Sequence, residues 1–163
     1  MKFALNEEQL ALAESAKRFL QEKAGCEVAL KVMETEAGFD IATWETMASE
    51  LGWTALTIPE TYGGYGLNYT DLIPLLEAMG RHMLCSPFFS SVCLGANAIL
   101  EAGTEAQKSK WLPDIATGTL RATFAFTEAG GKWQPEDVKA TYEKSEDGFV
   151  LNGVKAYVPD GHT

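Results

Sequence analysis

The hydrophobic period of this chain changes once, after Gly118, and that change constrains its fold more than any other feature of the sequence. Up to that point apolar residues recur at helical spacing. Leu12, Ala16, Phe19 and Leu20 share one face behind Asn6, an N-cap with Gln9 in the capping-box position and Leu5 and Leu10 placed as a hydrophobic staple. Asp40 caps a second helix whose stripe is Trp44, Met47, Ala48 and Leu51, with Gly52 as its stop. A loop rich in turn residues follows, from Ile58 to Leu67. The next helix turns Leu72, Leu75, Leu76 and Met79 inward and ends near Gly80. Ser86-Pro87 opens another, almost free of charge, with Phe89, Val92, Ala96, Ile99 and Leu100 on its apolar face. Thr104 and Gln107 form a second capping box, and Pro113 is expected to interrupt or kink the helix they open.

Beyond Gly118 the period is that of strands. Thr123-Phe124-Ala125-Phe126-Thr127 reads as a strand, and Val138, Ala140 and Tyr142 alternate with polar residues as in a half-buried one. Asp147-Gly148 and Asn152-Gly153 are turn signals, followed by the alternating set Val154, Ala156 and Val158. The fold class is therefore α+β, an all-α N-terminal helical bundle over 1–119 and an antiparallel meander over 120–163. A few strands with one apolar face and open edges make a poor free-standing sheet. Further chain or another subunit is expected to complete it.

Composition narrows the function. Apolar residues make up 46% of the 163, too many for a disordered chain. The net charge of −10 would repel phosphate backbones, so nucleic acid is not an expected partner. No apolar run approaches the ~20 residues of a membrane span. The start, Met1-Lys2-Phe3-Ala4-Leu5-Asn6-Glu7-Glu8, turns acidic where a signal peptide would turn apolar, which gives a cytoplasmic expectation. Cys26, Cys85 and Cys93 show no paired spacing and are expected as buried free thiols. Gly63-Gly64-Tyr65-Gly66 lacks the Lys and Ser/Thr of a phosphate-binding loop and reads as a tight turn. His82 and His162 stand alone, Glu60 and Glu77 read as solvated, and no metal-ligand spacing is present.

Three stretches in order resemble the acyl-CoA dehydrogenase family. They are Ile58-Pro59-Glu60-Thr61-Tyr62-Gly63-Gly64-Tyr65-Gly66-Leu67, the segment from Gly103-Thr104 through Trp111-Leu112-Pro113 to Gly118, and Phe126-Thr127-Glu128 followed by Gly148-Phe149-Val150-Leu151-Asn152-Gly153-Val154-Lys155. The resemblance implies an α-helical domain followed by a β-barrel-like middle domain, here incomplete, and a C-terminal helical domain outside this chain. It implies FAD as cofactor and an acyl-CoA substrate. A glutamate takes the α-proton while hydride leaves Cβ for the flavin, and the thioester carbonyl is polarised to make that proton acidic enough. It further implies an electron-transfer flavoprotein or similar acceptor, and a homo- or hetero-oligomer. No catalytic residue falls within this chain, because the family's base belongs to the C-terminal domain.

Carried over by position, Phe124, Phe126, Thr127, Tyr157, Val158 and Pro159 are the cofactor-binding residues. Thr127 offers a hydroxyl donor to the flavin's pyrimidine edge, and Tyr157 stands where the family packs an aromatic beside the ring. Read without the resemblance, Phe124 and Phe126 are core strand residues. Two departures stand out. Lys132 and Trp133, at the substrate-binding positions, replace the family's small residues and would reshape or close the acyl site. Pro159 replaces a Thr/Ser and has neither hydroxyl nor N–H. These departures keep open a second reading, a non-catalytic subunit of a heteromeric dehydrogenase of the same fold. A third reading is a cofactor-free helical interaction module.

Overall fold

The computed structural model describes residues 4–163; the acidic-start reading on Met1, Lys2 and Phe3 lies outside the described residues. Six α-helices, α1 (Glu7–Lys23), α2 (Cys26–Val32), α3 (Ile41–Glu45), α4 (Tyr69–Arg81), α5 (Asn97–Ala102) and α6 (Glu105–Ala116), precede one hairpin, β1 (Thr141–Ser145) and β2 (Gly148–Asn152). The sheet is antiparallel, two-stranded and not closed.

The caps read from the sequence form. Asn6 and Gln9 make a reciprocal capping box at α1, and Thr104 and Gln107 make one at α6. The Asp40 carboxylate accepts from the Thr43 amide at 2.7 Å. Two prolines lie inside helices. Pro74 cannot bond the Thr70 carbonyl one turn back, and Gln9 Nε2 of α1 donates to that carbonyl at 3.4 Å instead, while also bonding Asp71 at 2.9 Å. Pro113 does not interrupt α6, which runs on to Ala116. Leu112 and Ile115 are fully buried on either side of it, and that packing overrides the local penalty.

The helical stripes meet in two cores. One joins Ala16 and Leu20 of α1, Trp44, Met47, Trp53, Leu72 and Leu75 of α4, Phe88 and Val92. The other joins Ala55, Ile58, Ala96, Leu112, Ile115 and Ala116. The helix opened by Ser86-Pro87 departs from the expected face. Over Phe89–Ala96 it is π-helical, and the wider turn brings Phe88, Ser90 and Ser91 inside with Val92 and Ala96. Phe89, expected inside, is 55% exposed, and Ile99 and Leu100 are only half-buried. The cysteines also differ from expectation, since Cys26 is exposed and Cys85 and Cys93 are half-buried. Burial still pushes the Cys93 thiol up to about 11, which makes it a poor nucleophile.

After Gly118 the differences are larger. The 123–127 segment joins no ladder, and neither does the set Val154, Ala156 and Val158. Val138 and Ala140 precede β1, whose residues are all exposed rather than half-buried. Alternation specifies a face, but burial needs an element to cover it, and none of the described residues does so. The first hairpin turn lies where the sequence signals it, with Ser145 paired to Gly148. Asn152-Gly153 is not a turn. A Cβ at Gly153 would stand 2.6 Å from Ala140 Cβ, so glycine is needed there for close approach.

Candidate functional site

The candidate cofactor positions fall on two segments, 123–128 and 155–159, that lie side by side. The Ala156 amide donates to the Thr127 carbonyl at 2.8 Å. Thr123 Oγ1 donates to the Pro159 carbonyl at 2.8 Å, and Lys155 Nζ donates to the Phe126 carbonyl at 3.2 Å. The wall is thus fastened by single bonds between neighbouring segments, in place of a continuous ladder.

Its main fastening is Glu128. The carboxylate accepts from the Lys139 amide at 2.9 Å, the Ala140 amide at 2.9 Å and Lys155 Nζ at 3.0 Å. Those two amides, and then the ammonium, hold its carboxyl far below the usual range, from 4.5 to about 2. One side chain therefore joins the Phe126-Thr127 segment, the approach to β1 and the Lys155-Ala156 segment. Both Glu128 and Lys155 lie within motif stretches of the sequence, but neither was singled out there. Opposite charges 27 positions apart carry no pairing signal until the segments are brought together.

Alternation along the wall separates its side chains. Phe126 and Glu128 line a cleft of about 320 Å³ with Ala129, Gly130, Lys132 and Val138. Ala125 and Lys155 line a second cleft of about 460 Å³ against Tyr142 and Leu151 of the hairpin. Phe124 stacks on Phe126 with centroids 5.5 Å apart, and Trp133 meets Phe126 edge-on at 5.5 Å. Lys132 is paired with Asp137 at 2.9 Å. Thr127 is buried at 6% exposure, whereas Tyr157 is 79% exposed on a backbone with φ of +54°. Val158 is half-buried and Pro159 exposed.

These residues fit a flavin ring in part. Phe124 and Phe126 supply flat apolar surface, Thr127 a hydroxyl in the same segment, and Lys155 balances the Glu128 carboxylate beside them. Pro159 supplies no donor, and its carbonyl is already engaged by Thr123. The glycine-rich loop supplies no phosphate cradle. The amides of Gly63, Gly64, Tyr65, Gly66 and Leu67 all donate to carbonyls of residues 55–60. A Cβ at Gly64 would stand 1.9 Å from the Ile58 carbonyl oxygen, which explains the glycine without a ligand. Among the described residues no group of His, Cys, Asp and Glu is placed to hold a metal, and no helix is long and apolar enough to cross a membrane.

A helical domain running into a two-stranded antiparallel sheet that is not closed matches the fold of a class of flavoenzymes. The family model described as "Acyl-CoA dehydrogenase, N-terminal domain" matches residues 6–119. The chain belongs to the acyl-CoA dehydrogenase family, whose members are FAD-dependent oxidoreductases. It is 29% identical to the mitochondrial isovaleryl-CoA dehydrogenase of Bos taurus over 96% of its length and 37% of the bovine chain. A solved steroid ACAD variant superposes with a TM-score of 0.83 at 31% identity, over 95% of this chain and 42% of that one. An acyl-CoA dehydrogenase of Bacillus anthracis, complexed with FAD, superposes with a TM-score of 0.80 at 27% identity, over 94% of this chain and 27% of that one. The chain thus spans less than half the length of each of these relatives.

Proposed function

We propose that this chain is the N-terminal part of a flavin-dependent dehydrogenase that introduces an α,β double bond into an acyl-CoA thioester. Residues 1–119 would form its helical domain and 120–163 the opening strands of its middle β-domain. The observation that carries this reading is the bond from the Ala156 amide to the Thr127 carbonyl, which sets the two motif segments against each other as a single wall. On this reading Phe124, Phe126, Tyr157 and Val158 pack against the ring, and the Thr127 hydroxyl donates to its polar edge. Bound FAD would supply the two-electron acceptor for the reaction. The chain's own part is to position the ring and exclude water, with Glu128 and Lys155 fixing the wall. Electrons would pass on to an electron-transfer flavoprotein or a similar acceptor, and the enzyme would be an oligomer.

A second reading, a non-catalytic subunit of a heteromeric dehydrogenase, is favoured by Pro159. It removes a donor from the ring's surroundings, and the Lys132-Trp133 loop stands where small residues are expected. The visible spectrum of the full-length protein separates the two. Flavin absorbance bleached by an acyl-CoA supports the first reading. A colourless protein that copurifies with a flavin-bearing relative supports the second. A colourless protein that associates with neither would leave only a cofactor-free interaction module.

A further inference from the structure

The segment 129–138 is a closed loop whose two ends meet at Glu128. At its start the Gly131 amide donates to the Glu128 carbonyl at 2.8 Å. At its exit the Lys139 and Ala140 amides are held by the Glu128 carboxylate. Within it, Lys132 pairs with Asp137 at 2.9 Å, and the turn Pro135–Asp137 is closed by bonds from Asp137 to Gln134 and from Val138 to Pro135. A surface loop with adjoining ends and its own internal bonds is a built element. It carries Trp133, which is 75% exposed although its ring rests edge-on against Phe126. Phe126 in turn stacks on Phe124, itself 47% exposed. The result is a row of three rigid rings, exposed at both ends and continuous through Phe126 with the cleft of about 320 Å³. Exposed aromatic surface beside a cleft marks a place where an apolar ligand is received.

We propose that this loop determines substrate choice, with Trp133 presenting its ring to the acyl group and favouring ring-bearing acyl thioesters over straight chains. The inference rests on the dehydrogenase reading and deepens it. Phe124 and Phe126 stack on each other, and the third ring, Trp133 at the outer end, is free to meet the acyl group. A rigid ring edge matches a flat ligand ring at little entropic cost, whereas a flexible alkyl chain must be ordered to cover the same surface.

The test uses the full-length, flavin-loaded protein with W133A and W133F. Calorimetry measures the binding of phenylpropanoyl-CoA and nonanoyl-CoA, which have equal carbon number, and absorbance measures flavin per chain. Wild type is expected to bind the phenyl thioester about tenfold more tightly, W133A to reduce that preference to roughly twofold or less, and W133F to retain most of it. Flavin content is expected to be the same in all three. An unchanged preference in W133A, or no preference in wild type, overturns the proposal and leaves the dehydrogenase reading standing. Loss of flavin from a folded W133A also overturns it, since the ring would then belong to the cofactor wall. Failure of wild type to bind either thioester overturns the dehydrogenase reading and this proposal with it.

Discussion

Glu128 gathers two amides and an ammonium from segments that are remote in sequence. Its folded carboxyl lies near 2, against 4.5 for the free group, so the charged form is the one that the fold stabilises. The contribution is complete above the ordinary carboxylate range and is lost as pH falls toward the folded value. The urea midpoint of wild type should therefore drop more steeply than that of Glu128→Gln between about pH 5 and pH 2; parallel profiles would remove the clamp. Gly64 gives a second prediction. A methyl group there meets the Ile58 carbonyl at 1.9 Å, and backbone cannot yield as a side chain tip does. Gly64→Ala should cost about 1–3 kcal/mol or more in chemical denaturation, and a neutral result would contradict the loop geometry.

At the scale of elements, the C-terminus of α6 shows how helices are finished by tertiary contacts. The Ala116 carbonyl accepts from Thr54 Oγ1 at 2.7 Å, and the Gly118 carbonyl accepts from Trp44 Nε1 at 2.9 Å, both in buried surroundings. The Ala116 carbonyl, in the last turn, has no partner within the helix, and Gly118 lies just beyond the helix end. Thr54→Val keeps the shape and removes the donor, so it should cost about 1–3 kcal/mol, measured by urea unfolding followed by circular dichroism. The same dependence explains which helices were legible. α1 and α3 carry both a stripe and a cap in the sequence, α4 carries its stripe and α6 its cap, while α2 has neither a side-chain cap nor a clear stripe. The shift at Phe88 and Phe89 was not readable either, because a π-helical register arises from packing and leaves no periodic mark.

For the whole molecule, the two halves differ in what holds them. The helical part has two shared cores, whereas the hairpin exposes Tyr142, Phe149, Val150 and Leu151 and is held by its own ladder. Amide hydrogen exchange on the 163-residue chain should therefore show strong protection at Leu20, Leu75 and Ile115 and weak protection across β1 and β2. Equal protection in both would mean that the hairpin is buried in solution. Of the candidate site, the family resemblance pointed to Phe124, Phe126, Thr127, Tyr157, Val158 and Pro159, and the structure sets their two segments side by side. The sequence did not locate the Glu128–Lys155 pair, the Trp133 contact or the loop closure at 129–138.

What the chain's own residues settled were the quantities that are local: the change of period at Gly118, the capping boxes at Asn6 and Thr104, and the turn before Gly148. Each depends on side chains within a few positions of one another, so spacing alone encodes it. The tertiary structure decided which carbonyls Gln9, Trp44 and Thr54 would serve, which strands would find a covered face, and which charges would meet at Glu128. Those outcomes depend on desolvation and on distances between remote segments, and neither exists until the helices have packed.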